Sequence, residues 1–257
     1  VNYEAPTTVN DAVQLLAGAE GPVSVLSGGT DLIIQMQSMV GESRLVVDSK
    51  NIPGMTTAEL TDDGLSLGPA MCCAELTARD EIKAVFPGLV ESAYLIGSTQ
   101  VQGRASVGGN LCNSSPAADT IPALIANSTQ CVITGPKGER TVAVEDFVTG
   151  VGRNCLEKGE MLVRLTVARP AAHTGDAYLR FIPRTEMDIA VAGAGVSVTL
   201  DSDGTCVDAR VAIGAVAPTA LLVTEAADAL IGTKVDAAAL DAAAAAWPPH
   251  PPFPNHQ

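Results

Sequence analysis

The sequence has 257 residues, of which 47% are hydrophobic and only 3% aromatic, so we expect a core built mainly from Ala, Val, Leu and Ile. With 15 Lys and Arg against 29 Asp and Glu, the formal net charge is −14, which disfavours binding to nucleic acid and to anionic membrane surfaces. No apolar run is long enough to span a bilayer, and residues 1–4 lack the basic and apolar parts of a secretory signal. These features favour a cytoplasmic protein without a membrane span.

The first fifty residues predict a small α/β unit in which a glycine turn follows the C-terminal end of a strand. The predicted elements, in chain order, are a helix after Pro6 capped by Thr7 or Thr8, a buried strand at Val23–Leu26, the turn Ser27-Gly28-Gly29-Thr30-Asp31, a helix over 32–40 and a strand over 44–48.

Strands and helices continue beyond residue 50, and the pattern changes near residue 175. The predicted elements are a strand at 64–68, helices at 74–79 and 84–96, a hairpin of 130–134 with 140–144, a strand at 161–167, a linker at 170–175, a hairpin of 188–200 with 205–214, and helices at 225–231 and 236–246. The change to a hairpin followed by two helices predicts a second, smaller subdomain.

A polar, glycine-bearing segment lies between two of the predicted helices, at residues 106–119. Gly108 and Gly109 let the backbone approach a ligand and adopt dihedral angles barred to other residues. Four side chains offer compact donors and acceptors: Asn110, Asn113, Ser114 and Ser115. Pro116 suits a first helical turn, with Ser115 as its candidate cap and Asp119 near the positive end of the helix dipole. A tight turn and an ordinary capped helix would explain the same residues without a ligand.

The two glycine segments together indicate a ligand with two phosphates. Backbone N–H groups at such turns form concave anion sites, and each segment precedes a predicted helix start. Neither segment matches Gly-x-Gly-x-x-Gly, and the Walker pattern with its lysine is absent. The sequence therefore favours a dinucleotide held by a fold other than the Rossmann or P-loop folds.

Cysteine and histidine residues predict neither a metal site nor a catalytic triad. The six cysteines include no Cys-x-x-Cys pair, and reduced, buried thiols explain them best. Of the three histidines, His250 and His256 lie in a proline-rich tail at 247–257, which we expect to be extended or disordered. We therefore expect no catalytic protein residue and no metal ligand in this chain.

Three segments, taken as a set, resemble one known family. They are Leu26-Ser27-Gly28-Gly29-Thr30-Asp31-Leu32-Ile33, residues 104–120 (Arg-Ala-Ser-Val-Gly-Gly-Asn-Leu-Cys-Asn-Ser-Ser-Pro-Ala-Ala-Asp-Thr) and Asp188-Ile189-Ala190-Val191. The set resembles the FAD-binding medium subunits of the molybdenum hydroxylases, a family that includes flavin subunits of carbon monoxide dehydrogenase and nicotinate dehydrogenase and the flavin domain of xanthine dehydrogenase. The resemblance extends over roughly residues 2–245, and only the combination of motifs is specific.

The resemblance implies an α+β fold and a division of the chain. It implies a two-lobed FAD-binding domain of the PCMH or vanillyl-alcohol-oxidase type, followed by a smaller C-terminal subdomain of an antiparallel sheet plus helices. The corresponding ranges are 1–172 for the FAD-binding domain (1–50 the small lobe, 51–172 the larger lobe), 173–246 for the C-terminal subdomain and 247–257 for the tail. Relatives usually continue beyond the last predicted helices, so the C-terminal subdomain looks truncated or replaced.

The resemblance also implies which residues contact FAD. Residues near the diphosphate and ribityl chain would be Leu26, Ser27, Gly28, Gly29, Thr30, Asp31, Leu32, Ser106, Gly108, Gly109 and Asn110. Residues on the flavin side would be Ile96, Gly97, Asn113, Ser115, Asp119 and Arg180, and Leu162 would cover part of the cofactor pocket. A cation such as Arg180 beside the isoalloxazine would favour negative charge on the reduced flavin. Core packing is the alternative for Ile96 and Leu162, and an exposed strand position is the alternative for Arg180.

The function implied is that of an electron-transfer subunit. A large subunit with a molybdenum cofactor would oxidise the substrate, a small subunit would relay electrons through [2Fe-2S] clusters, and noncovalent FAD in this chain would pass them to NAD, a quinone or dioxygen. Two alternatives stay open: a stand-alone nucleotide-binding or assembly protein of the same fold, and a self-contained oxidase with covalently attached flavin.

Overall fold

The computed structural model describes residues 1–38, 43–185 and 187–246. The predicted tail at 247–257, with His250 and His256, and the predicted helical end at 39–40 lie outside the described residues. The helices are α1 (Val9–Gly18), α2 (Leu32–Gln37), α3 (Cys73–Thr77), α4 (Asp80–Lys83), α5 (Pro87–Tyr94), α6 (Thr99–Gln102), α7 (Val107–Asn113), α8 (Thr120–Ala126), α9 (Val144–Phe147), α10 (Thr224–Leu230) and α11 (Ala237–Ala245). The strands are β1 (Asn2–Glu4), β2 (Val23–Leu26), β3 (Leu45–Asp48), β4 (Ala58–Leu60), β5 (Gly64–Leu67), β6 (Gln130–Gly135), β7 (Gly138–Ala143), β8 (Val148–Gly150), β9 (Arg153–Asn154), β10 (Met161–Ala168), β11 (Thr174–Phe181), β12 (Ala192–Leu200), β13 (Cys206–Gly214) and β14 (Leu221–Leu222).

The N-terminal unit is a three-stranded parallel sheet of order β1-β3-β2. The predicted strand Val23–Leu26 is confirmed, and α1 begins as expected because the Thr8 side chain accepts a hydrogen bond from the Asp11 N–H. Ala12, Val13 and Leu16 bury one face of α1 in a small core that also contains Val47. Parallel pairing puts the C-terminal ends of β2 and β3 at one edge, where the first glycine turn begins.

A five-stranded antiparallel sheet of order β4-β5-β10-β6-β7 forms the centre of the larger unit. Its predicted hairpin, β6 with β7, is confirmed with direct pairing of Gly135 and Gly138. Leu67, Leu165 and Ile133 are fully buried in this sheet and pack with helical residues such as Leu89 and Leu124. The core is aliphatic, with Phe86 and Phe147 as its large buried aromatic residues.

The C-terminal part contains a four-stranded antiparallel sheet of order β11-β12-β13-β14. The predicted hairpin of β12 with β13 and the two following helices are confirmed, whereas β11 begins within the predicted linker at 170–175 and continues through residues that were assigned no element. Gly195 of β12 allows close contact with α8, because a Cβ atom there would overlap the Pro122 carbonyl. The overall class, an α+β fold followed by a smaller C-terminal part with an antiparallel sheet and two helices, agrees with the expectation.

Two local predictions around the second glycine segment are wrong. Residues 107–113 form helix α7 rather than a glycine turn, so Gly108 and Gly109 adopt helical geometry and neither has a positive φ. No helix starts at Pro116: α8 begins at Thr120, and the Ser115 hydroxyl accepts a hydrogen bond from the Ala117 N–H within a turn. Close packing against neighbouring segments overrides the low helix propensity of the two glycines.

Candidate functional site

The two glycine segments meet at a cleft of about 480 Å³. Thirteen of the eighteen residues predicted to bind the cofactor line it: Ser27, Gly28, Gly29, Thr30, Asp31, Leu32, Ile96, Ser106, Gly108, Gly109, Asn110, Asn113 and Leu162. The cleft therefore joins residues from the parallel sheet, α2, α7 and β10 that are far apart in sequence.

The first turn owes its shape to two glycines. Gly28 lies directly against the backbone of the second segment, where a Cβ atom would overlap the Arg104 carbonyl oxygen. Gly29 has φ +83°, a left-handed conformation that costs glycine little. Among the described residues, the N–H groups of Gly28, Gly29, Thr30 and Asp31 donate to no protein acceptor. These donors are available to an anion in the cleft.

The second turn is the capped start of α7. Ser106 is its N-cap: its Oγ accepts a hydrogen bond from the Gly109 N–H at 3.1 Å. The same Oγ lies 2.7 Å from Ser27 Oγ, so a direct hydrogen bond joins the two turns. Gly108 packs against Pro69, where a Cβ atom would overlap the proline ring and backbone. The glycine at 108 is thus required by contact, not by unusual dihedral angles.

Asn110 and Asn113 occupy successive turns of α7. Asn110 Oδ1 accepts hydrogen bonds from the Thr120 hydroxyl at 2.6 Å and the Thr120 N–H at 3.3 Å, which ties α7 to the start of α8. The acceptor side of the Asn110 amide is therefore engaged by the protein. Asn113 Oδ1 accepts from Gln35 Nε2 at 3.0 Å, which links α7 to α2 across the cleft. Gln35 is a lining residue that the sequence did not predict.

Apolar residues form another part of the cleft wall. Leu162 is almost fully buried and Ile96 is half-buried beside Gly97, which has φ +54° but is not itself a lining residue. Cys112 also lines the cleft, and burial raises the pKa of its thiol to about 12. That cysteine is therefore a protonated thiol at neutral pH and a poor nucleophile.

Five of the predicted residues are not part of the cleft lining: Leu26, Gly97, Ser115, Asp119 and Arg180. Leu26 and Gly97 adjoin lining residues. Asp119 and Arg180 form a buried ion pair, with Arg180 Nη1 3.0 Å from Asp119 Oδ2 and side chains 7% and 11% exposed for Arg180 and Asp119. The Tyr178 hydroxyl donates to Asp119 Oδ1 at 2.9 Å, and burial raises the pKa of Tyr178. This cluster joins the start of α8 to β11, so the alternative of an exposed strand position for Arg180 is wrong.

The described part of the chain contains no group of three or more His, Cys, Asp or Glu residues that could hold a metal ion. The six cysteines are free thiols, and burial raises the pKa of Cys73 to about 12. Among the described residues, no helix is both long and apolar enough to cross a membrane.

Two family models match the sequence. A model described as the FAD binding domain in molybdopterin dehydrogenase matches residues 1–170, and one described as the CO dehydrogenase flavoprotein C-terminal domain matches residues 177–250.

Individual proteins agree with these matches. The chain is 32% identical over 249 residues to the carbon monoxide dehydrogenase medium chain of Afipia carboxidovorans, covering 95% of this chain and 84% of the relative. It is 32% identical over 221 residues to a xanthine dehydrogenase FAD-binding subunit of Escherichia coli, covering 85% and 75%. A solved carbon monoxide dehydrogenase from Hydrogenophaga pseudoflava matches with a TM-score of 0.89 and 33% identity, covering 95% of this chain and 85% of that one.

The α+β fold, with two glycine segments at one cleft, matches the class of FAD-binding domains that the family models describe. Within that class, the chain belongs to the family of FAD-binding medium subunits of the molybdenum hydroxylases.

Proposed function

We propose that this chain carries FAD noncovalently and acts as the electron-transfer subunit of a molybdenum hydroxylase complex. This function is supported by the cleft in which the two glycine segments meet through Ser27 and Ser106, since its lining offers backbone N–H groups that no described residue engages. Family membership supports FAD as the ligand.

The residues present fit the diphosphate of FAD. Its negative charge would be matched by N–H donors of the first turn, from Gly28 to Asp31, and by the Asn110 amide, whose acceptor oxygen is already engaged by Thr120. Gly28 and Gly109 keep the two backbones free of side chains where they meet. We propose that Leu26 to Leu32 and Ser106 to Asn110 hold this part of the cofactor.

The flavin end of FAD fits the other side of the cleft. We propose that Ile96 and Leu162 pack on the ring system and that Asn113 offers polar contact there, held in place by Gln35. When bound, FAD supplies the redox chemistry, accepting electrons from an iron-sulfur donor and releasing them to an acceptor. The side chains in the cleft position the cofactor and exclude water from its buried part.

Noncovalent binding is favoured by the state of the cysteine in the cleft wall. Attachment of flavin to a cysteine requires a reactive thiolate, and burial keeps Cys112 protonated at neutral pH. One experiment on the purified chain distinguishes the proposal from the two open alternatives. A yellow protein that releases intact FAD on denaturation supports the proposal, flavin that stays on the denatured polypeptide supports a covalent oxidase, and colourless protein that refuses added FAD supports a protein that has lost redox function.

The relatives are subunits of larger assemblies, and we propose the same arrangement here. A large molybdenum-cofactor subunit and a small subunit with [2Fe-2S] clusters would accompany this chain, and NAD, a quinone or dioxygen would accept the electrons. Purification of the chain from its native host tests this directly: both partner subunits should be recovered with it, and isolation of the chain alone would contradict the proposed assembly.

A further inference from the structure

The segment that follows β3, Ser49 and Lys50, donates hydrogen bonds to carbonyl groups at the start of the first glycine turn. The Lys50 ammonium donates a hydrogen bond to the Ser27 carbonyl oxygen, with an Nζ to O distance of 2.9 Å. The Leu26 carbonyl oxygen accepts from the Ser49 N–H at 3.1 Å and from the Ser49 hydroxyl at 3.2 Å. Two successive carbonyl groups at the start of the turn are thus held by two successive residues of another segment.

These contacts determine where the N–H groups of the turn point. In a trans peptide the C=O and the following N–H are fixed in one plane and point in opposite directions. Because Lys50 holds the Ser27 carbonyl, it also sets the direction of the Gly28 N–H. Ser49 sets the direction of the Ser27 N–H in the same way through the Leu26 carbonyl.

Lys50 is itself held in place by a buried carboxylate. Asp48 Oδ1 accepts from Lys50 Nζ at 2.7 Å and from the Lys50 N–H at 3.0 Å, while Asp48 Oδ2 accepts from the Tyr3 hydroxyl at 2.7 Å. The Lys50 and Asp48 side chains are 26% and 9% exposed. Burial alone would raise the pKa of Asp48, but the hydrogen bonds from Lys50 and Tyr3 lower it, so the carboxylate is charged at neutral pH. The ammonium therefore has one defined position between Asp48 and the turn.

We infer that Lys50 is a positioning residue for the diphosphate of the cofactor: it orients the Ser27–Gly28 peptide so that the Gly28 N–H points at the phosphate. This inference rests on the proposed function, since it presumes a dinucleotide in the cleft. Lys50 does not line the cleft. It would therefore act on the cofactor indirectly, by fixing the orientation of the backbone of the turn. If the Lys50–Asp48 ion pair only stabilised the fold, replacement of Lys50 would leave the direction of the Gly28 N–H unchanged.

The test compares Lys50→Met, Lys50→Arg and the matched control Lys137→Met in the full chain. Lys137 pairs with Glu157 on the surface, with its side chain 85% exposed, so the control removes the same charge from an exposed pair that does not line the cleft. For each protein, dissociation constants for FAD and for ADP are measured by calorimetric titration, and the two ³¹P resonances of bound FAD are recorded by NMR.

We expect Lys50→Met to weaken both FAD and ADP by about tenfold, the loss of one charged hydrogen bond, and to shift at least one ³¹P resonance. Lys50→Arg should retain binding within about twofold, because it keeps a cationic donor. Lys137→Met should match the wild type. If Lys50→Met fails to fold, Lys50→Gln provides the same comparison.

Two results would overturn the inference. One is unchanged affinity with unchanged ³¹P resonances in Lys50→Met. The other is weaker affinity accompanied by unchanged ³¹P resonances and a lower unfolding temperature, which describes a structural loss. Failure of the wild-type chain to bind FAD would instead contradict the proposed function, so the two failures are distinguishable.

Discussion

Ser27 Oγ and Ser106 Oγ lie 2.7 Å apart, although the two residues are separated by 79 positions in the sequence. Ser106 also caps α7 through the Gly109 N–H, so one hydroxyl both starts a helix and joins that helix to the first turn. This pair makes a single site from the two glycine segments.

Replacement of Ser106 by alanine should reduce both stability and cofactor binding. Loss of an N-cap lowers the free energy of unfolding by about 1 kcal/mol, and loss of the bond to Ser27 should weaken FAD binding by about tenfold. Thr8→Ala removes the cap of α1, outside the cleft lining, and should lower stability by a similar amount while leaving FAD affinity unchanged. Urea denaturation and FAD titration measure both quantities. Equal FAD affinity in the two variants would refute the role given to Ser106.

Gly28→Ala should separate the two turns. A methyl group at residue 28 would overlap the Arg104 carbonyl oxygen, so the backbone must shift; we expect a loss of about 1–3 kcal/mol in unfolding free energy and at least tenfold weaker FAD binding. Gly18, the last residue of α1, has open space where a Cβ atom would lie, so Gly18→Ala should leave both properties near wild type or slightly increase stability. A Gly28→Ala protein with normal FAD affinity would contradict the close contact between the turns.

The Asp119–Arg180 pair gives a test of a role implied by the family resemblance. Arg180→Met should reduce stability by about 3 kcal/mol, because it leaves a buried carboxylate with Tyr178 as its remaining charge-neutral donor. We expect the absorption spectrum and midpoint potential of the bound flavin to stay unchanged. A fall in midpoint potential of about 30 mV or more, with stability preserved, would instead place the Arg180 cation beside the flavin.

Stability in acid should depend on Glu160. Arg140 forms two hydrogen bonds to this carboxylate, at 2.8 and 2.7 Å, and they hold the pKa of Glu160 below its ordinary value. The stabilisation is therefore present above the ordinary glutamate pKa and is lost as pH falls through the lowered folded-state value. Glu160→Gln should cost about 1–2 kcal/mol at pH 7 and progressively less toward pH 3.

The matched control for this pH dependence is Glu157→Gln. Glu157 pairs with Lys137 in an exposed contact, with side chains 61% and 85% exposed, so its removal should change stability by less than about 0.5 kcal/mol at any pH. A pH-independent difference between wild type and Glu160→Gln would show that the Arg140 contact does not lower the pKa of Glu160.

Strong local patterns in the sequence predicted most elements correctly, and weak ones did not. The α1 helix has a side-chain cap and a regular apolar face, and the β6–β7 hairpin has a glycine turn, so both were predictable. In contrast, β1 consists of three exposed residues, and its position depends on pairing with β3. Strand β11 exposes the apolar side chains of Leu179 and Phe181. A prediction that places apolar residues in the core therefore fails for this strand.

The two glycine segments singled out in the sequence meet at one cleft, but the physical reason inferred for one of them was wrong. The glycines at 108 and 109 indicated conformational freedom, whereas Gly108 is needed because Pro69 lies against it. That contact joins residues distant in sequence, so no local pattern could show it. The same holds for Gln35, whose bond to Asn113 depends on the packing of α2 beside α7.

Titration of the flavin-free chain with FAD, with Asn110→Asp compared to wild type, tests whether the two turns hold a diphosphate. Asn110→Asp keeps an oxygen acceptor for Thr120 but replaces the side-chain amide donor with a negative charge. The control Asn2→Asp makes the same change at an exposed position. We predict one FAD per wild-type and Asn2→Asp chain, and binding about 10- to 100-fold weaker in Asn110→Asp without loss of stability. Equal FAD affinity in all three proteins, or no binding by the wild type, would rule out a diphosphate site at the two turns.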